Sequence, residues 1–308
     1  MLLGGGGPES AMSFYLRRHS IGPQYIIEIE EGRYARLKSA RLTLVDAGAF
    51  EQRYELLLGN FTAFEMFCAE TSLRGAFEFD FRYGTWARVI SEANRHAINF
   101  LTTTRQYADH IVRDFKHLRL PEPFEQSAER LLSQAYDSTL AYRFVWELRN
   151  FVQHRAIAVH GIKGRNKGEA WTEASMVYCQ KKNILEDRGK FKRKVLDQLD
   201  EQIDVLLMFR SYMAAVSTVQ IGLRKLISEA CREARDLTKE AMDEFANAQK
   251  DGKDEGNPAV GLTACKGDGR TFTDAIPLLL DWDDTRVDLS KKNSRRIMPI
   301  HRETGDIA

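Results

Sequence analysis

The run Glu147-Leu148-Arg149-Asn150-Phe151-Val152-Gln153-His154 sets an arginine, an asparagine and a histidine into otherwise apolar text. Arginine offers a planar fork of donors that matches phosphate oxygens, and it stays charged. Histidine titrates near neutral pH, so it takes up or gives away a proton under ordinary conditions. The asparagine between them can orient the imidazole or bond a sugar hydroxyl. Together these side chains suit a reaction on a phosphodiester, in which a phosphate is held while protons move.

Geometry decides whether they can act together. On a helical wheel of about 100° per residue, Arg143, Glu147, Asn150 and His154 fall within about 60° of one another and form one polar stripe. Tyr136 and Thr139 extend that stripe toward the helix start. Leu140, Phe144, Leu148 and Phe151 flank it, with Tyr142, Val145, Trp146 and Val152 around the remainder. Such a helix is expected to be buried, with its polar stripe in need of partners. Arg149 stands about 140° away from His154. Either the helix unwinds near its end, which residues 156–161 permit, or a second copy of the helix supplies the missing partner. A symmetric dimer is the expectation.

Supporting roles follow from spacing. Glu147 is expected to pair with Arg143 at i, i+4; its other possible role is to tune His154. His160 either lines the same cleft or is a turn histidine. His96, His110 and His117 have charged neighbours on another predicted helix and read as solvated. Lys163, Arg165 and Lys167, followed by Trp171, place cations and an aromatic where a nucleic-acid strand could lie, or else form a solvated loop tip. Lys190-Phe191-Lys192-Arg193-Lys194 is a second local basic patch. Arg149 and His154 also have a purely structural reading, as ion-pair partners or as cations at a helix C-terminus.

The elements that must position these residues are mostly helical. No proline occurs between Pro23 and Pro121, and apolar residues recur at three- and four-residue spacing. Helices are expected near 48–74, 84–118, 122–155 and 190–247, the last as two helices or with a bend near Gly222. The text reads as a leader at 1–12, a short β-hairpin at 13–32, a helical domain at 33–248, a linker at 249–258 and an unassigned tail at 259–308. A second β excursion is expected around 156–180.

Composition narrows the function classes. The 308 residues, 43% hydrophobic and 29% charged, have the profile of a globular protein. The net charge of +1 means that an anionic partner must be held locally rather than by a global basic field. No CxxC or Cys/His pair has metal-ligand spacing, and neither a phosphate-binding glycine loop nor a nucleophile elbow occurs. Neither a metal nor a cofactor is therefore expected. The four cysteines lie far apart, the N-terminus lacks a signal-peptide pattern, and no apolar run reaches the about 18 to 20 residues that span a bilayer. The expectation is a reduced, cytoplasmic protein away from membranes.

The pattern Arg149-Asn150-x-x-x-His154, near the end of a helix in a helical domain, resembles the R-x(4-6)-H motif of the HEPN superfamily. That resemblance covers residues 149–154 as motif and about 33–248 as architecture. It implies a mainly α fold, a HEPN-like bundle of about four to six helices with the small β additions named above. It also implies a homodimer with a composite site and a metal-independent endoribonuclease acting on RNA in a toxin–antitoxin or antiphage setting, where an antitoxin or regulatory protein is a further partner. Arg149, Asn150 and His154 would then be the catalytic set. The alternative is a non-catalytic HEPN-like binding or scaffold module that uses the same surface.

Overall fold

A computed structural model describes residues 13–19, 25–77, 82–154, 157–167, 170–186, 191–252, 261–268 and 271–298. The side chains of 164–175 and 250–252 lie outside that description. The protein is mainly helical, with eight helices and two small antiparallel sheets among the described residues. Two compact units divide the chain, one of Met1–Glu51, Phe115–Leu120 and Lys225–Lys291, the other of Gln52–Asp114, Pro121–Arg224 and Lys292–Ala308.

The first unit draws on both ends of the chain. Strands β1 (Ser13–Arg18) and β2 (Ile26–Ile29) pair antiparallel with Phe14 opposite Ile29. The tail that sequence reasoning left unassigned supplies β6 (Leu262–Gly267), β7 (Phe272–Pro277) and the helix α8 (Asp281–Lys292). The sheet order is β2-β1-β6-β7, so β1 is an interior strand with partners on both edges. Leu16, Ile29, Tyr34, Leu37, Ala241, Phe245, Leu262 and Ile276 form its core. A backbone hydrogen bond of 2.8 Å joins His19 to Gly261, whose φ of 76° lies in the left-handed region and whose missing Cβ would sit 2.8 Å from the His19 carbonyl. Only glycine fits there without strain.

The N-terminal part of α1 (Glu31–Phe77) also belongs to this unit. It anchors residues 115–117, where the expected helix 84–118 has already ended. Phe115 adopts a φ of 56° and is buried, and its N–H donates to Asp46 Oδ2 at 3.1 Å. His117 Nδ1 lies 3.4 Å from the same oxygen, and its Nε2 is 2.9 Å from Thr43 Oγ1. His117 is thus a structural clasp rather than a solvated residue, and His96 stacks on Phe67 with ring centroids 5.2 Å apart.

The second unit holds the candidate motif. Its core is aromatic: Phe100 packs on Phe209 at 4.5 Å and on Phe61 at 5.8 Å, and Tyr142 lies 4.8 Å from Tyr212. The helices are the C-terminal part of α1, α2 (Tyr83–Ile111), α3 (Phe124–Ser138), α4 (Leu140–His154), the short α5 (Lys181–Glu186) and α6 (Arg193–Leu196), and the N-terminal part of α7 (Val205–Gly252). The second β excursion is a hairpin of β3 (Gly161–Lys167) and β4 (Ala170–Gln180), joined by β5 (Gln202–Asp204). Val177 and Cys179 of β4 are fully buried, as alternation along a half-buried strand requires.

The expected helix bounds shift, α1 beginning at Glu31 rather than 48 and α7 at Val205 rather than 190, and two further helix expectations need correction. The single helix expected at 122–155 breaks at Thr139, which is extended at φ −125° and ψ 113°. Its carbonyl accepts from the N–H groups of Tyr142 and Arg143, opening α4 afresh. Conversely α7 runs through Gly222 unbroken for 48 residues, roughly 72 Å. Gly222 serves packing instead of bending, because a Cβ there would press within 3.3 Å of Leu131 Cδ1. By length and composition, Val205–Gln249 could cross a membrane, and 56% of its most apolar window is buried inside the protein. Core helices of globular proteins pass the same test, and this one carries Ser217 and Gln220 with no exposed surface.

Candidate functional site

Helix α4 is held by its apolar face. Tyr142, Phe144, Val145, Leu148 and Phe151 are buried along it, each at most 5% exposed. The chain beyond the helix is clamped by Asn94 of α2. The Asn94 side-chain amide donates to the Val159 carbonyl at 2.8 Å, and its Oδ1 accepts from the Val159 N–H at 2.9 Å. Asn94 is itself 6% exposed, so this double bond fixes the backbone direction after the motif.

The polar stripe has been partitioned among different partners. Arg143 does not pair with Glu147. Its guanidinium donates to the Tyr136 and Asp137 carbonyls at 3.2 and 2.6 Å and to Gln198 Oε1 at 3.3 Å. The break at Thr139 is the physical reason: it leaves the last carbonyls of α3 without intrahelical donors, and a nearby cation satisfies them. Tyr136 and Thr139 therefore do not extend the stripe along one helix. Glu147, 4% exposed, turns instead to Lys192, accepting from its N–H at 3.4 Å and lying 3.3 Å from its ammonium.

The motif residues sit in contrasting surroundings. Arg149 Nη1 donates to Asn150 Oδ1 at 3.0 Å, while its Nε is buried without a hydrogen-bond partner. Burial, and next the positive charge of Arg105, lower the pKa of Arg149, and Asp109 opposes them. His154 is exposed at the last turn, and among the described residues its ring makes no hydrogen bond. Because α4 is helical through His154, the angular separation of about 140° from Arg149 holds within one chain. One copy of the chain does not bring the two side chains to a common point.

His160 is structural in its surroundings. Its N–H donates to the Tyr178 carbonyl at 2.9 Å, and its Nδ1 accepts from the Gln180 N–H at 3.2 Å, which assigns the ring proton to Nε2. Burial lowers its pKa and keeps it neutral. Gly161 follows because a Cβ would run into the Tyr178 ring. Lys163 is drawn back to Gln202 Oε1 and lies 5.8 Å from the Tyr178 ring centroid. Arg165 and Lys167 are strand residues by backbone, and their side chains, with that of Trp171, lie outside the described residues.

Sequence reasoning missed the α2 residues beside the motif. Arg105 lies over the Trp146 ring at 4.4 Å and pairs with Asp109 at 2.6 Å. The i, i+4 spacing of Arg105 and Asp109 was a readable signal for the ion pair, and Trp146 one turn before Arg149 was a signal for the ring. That α2 would face them was not readable. Among the described residues no group of His, Cys, Asp and Glu side chains is placed to hold a metal ion. All four cysteines are buried and unpaired. Comparisons with family models, with curated proteins and with solved structures give no match for this chain.

Proposed function

We propose that this chain is a metal-independent endoribonuclease of HEPN type, which cleaves single-stranded RNA at a composite site built by two copies of α4. Its setting is cytoplasmic, in toxin–antitoxin or antiphage defence, with an antitoxin or regulatory protein as a further partner. The observation that carries the reading is the state of Arg149. Its guanidinium is part-buried and braced by Asn150, and among the described residues it has no carboxylate partner. A phosphate oxygen is an acceptor of the required charge and geometry.

In the composite site, Arg149 of one copy holds the scissile phosphate and Asn150 fixes the fork. His154 of the second copy, exposed and free to approach, exchanges a proton with the substrate. The O2′–P bond forms as the P–O5′ bond breaks; the 2′-hydroxyl proton passes to a base, and the departing O5′ receives one. The intact helix supports this two-copy arrangement, since within one chain Arg149 and His154 diverge.

A non-catalytic scaffold is the second reading, favoured by the Arg149–Asn150 bond lying inside the motif itself. One assay separates the two. Purified protein is incubated with single-stranded RNA in excess chelator, beside H154A and R149A. The nuclease reading expects cleavage by wild type and a loss of about 100-fold or more in each variant. Equal, intact RNA in all three reactions points to the scaffold.

A further inference from the structure

Next to Arg149 the second unit carries a row in which cations and aromatic rings alternate. Lys192 Nζ donates to Tyr136 Oη at 2.8 Å and lies 5.3 Å from that ring's centroid. Tyr136 meets Trp146 edge to face, with centroids 6.5 Å apart. Arg105 lies over Trp146 at 4.4 Å, and Arg149 is one helical turn beyond Trp146 on the same face of α4. Each of these side chains is at least partly exposed.

We infer that Arg105, Trp146 and Arg149 form a nucleotide subsite for single-stranded RNA, with the phosphate between the two guanidinium groups and the base on the Trp146–Tyr136 aromatic pair. The inference rests on the ribonuclease reading and names how its substrate is held. Charge is the first argument. Among the described residues Arg105 pairs with Asp109 and Arg149 pairs with no carboxylate, while the charge of Arg105 reaches Arg149, so the cluster carries a surplus positive charge. A purely structural ion pair has no need of a second guanidinium whose charge reaches it, because like charges repel. A phosphate between them offsets the repulsion and gives both guanidinium groups an anionic partner.

Shape and overall charge are the further arguments. Aromatic faces stack any base, while cations beside them track the backbone, so sequence tolerance and salt sensitivity come together. The chain's net charge of only +1 offers no global attraction, so RNA must be gripped by a local row of this kind. Asp109 is then a competitor for Arg105 that the incoming phosphate displaces.

The test measures binding of a fluorescent single-stranded RNA oligonucleotide to the full chain across a salt series, beside cleavage of the same RNA. Arg105→Gln is expected to weaken binding about tenfold and to lower the slope of log Kd against log salt by about one. Asp109→Asn is expected to tighten binding by about threefold, because it frees Arg105, whereas a merely structural ion pair would give lower stability and no tighter binding. If Arg105→Gln fails to fold, Asp109→Asn decides alone. RNA that is bound and cut normally, with Arg105→Gln and Asp109→Asn matching wild type, overturns the subsite and leaves the ribonuclease reading standing. Wild-type protein that neither binds nor cuts RNA overturns both.

Discussion

Two clusters of arginines, one in each unit, are built to opposite rules. At the α7–α8 cluster of the first unit, Asp283 has no exposed surface and takes Arg235 at 2.6 Å and Arg286 through two bonds of 2.6 and 3.0 Å, while Asp284 takes Arg235 as well. Two carboxylates answer Arg235 and Arg286, while a third guanidinium, Arg41, lies 3.9 Å over the Trp282 ring and feels Asp283 only through its charge. At the α2–α4 cluster of the second unit, Asp109 pairs with Arg105, and among the described residues no carboxylate pairs with Arg149. The pKa values move accordingly. Burial opposes the charge of Arg235 and Arg286, yet hydrogen bonds and the charges of Asp283 and, for Arg235, Asp284 raise both. For Arg149, burial and Arg105 both act downward, and the value falls. Arg235 and Arg286 are supplied with counter-charges, whereas Arg149, like Arg41 over the Trp282 ring, is left short of them.

The largest expected effect would break or uphold the structural half of this contrast. Asp283→Asn removes the carboxylate charge between two arginines at a fully buried position; Asp284 still answers Arg235, but Arg286 loses the charge that takes both its bonds. Urea unfolding should show a loss of about 3 to 5 kcal/mol. A loss below about 1 kcal/mol would mean that Arg286 reaches another counter-charge, and the comparison would fail on that side.

The α2–α4 cluster should respond in the reverse sense. Arg149→Met removes a charge that its surroundings disfavour and keeps most of the apolar stem, so stability should change by less than about 1 kcal/mol in either direction. Arg286→Met should cost more, since it strips a partner from Asp283. The same Arg149→Met protein should lose RNA cleavage, the separation expected where a site trades stability for function. If Arg149→Met proves as damaging to folding as Arg286→Met, the two clusters are alike and Arg149 is a structural residue.

The sequence made part of this legible, and the reason lies in what was local. Helical spacing located α4, the prolines at 121 and 123 placed the start of α3, and the glycine-containing text at 156–180 signalled the hairpin. Thr139 gave little warning of its break: a single β-branched residue is no terminator, and what confirms the break is Arg143 folding back onto the α3 carbonyls. Gly222 was over-read, since its use is to let Leu131 approach. Asp283 was invisible for a different reason. Its partner Arg235 is 48 residues away and its role depends on α8, part of a tail whose strands matter only because β1 lies beside β6. Arg105 was hidden likewise, because only packing brings α2 against α4.

The smallest effect extends the contrast to the histidines. His160 is bonded on both its backbone and its ring, and burial lowers its pKa. His154 is exposed and, among the described residues, unbonded. For a base whose folded pKa is depressed, the unfolded chain takes up a proton first as pH falls below its ordinary value of about 6.5, and the folded state loses ground. Stability carried by neutral His160 is therefore full above that pH and declines through the mildly acidic range. His160→Gln should flatten this decline in denaturant midpoints measured from pH 7.5 down to 5.5, although it lowers the midpoint throughout by disturbing the Gln180 contact. His154→Ala should leave the midpoint at pH 7.5 within about 0.5 kcal/mol of wild type while abolishing cleavage. If His160→Gln keeps the wild-type acid slope, protonation of that ring is not resisted by the fold, and the division between satisfied and unsatisfied polar groups holds for the arginines alone.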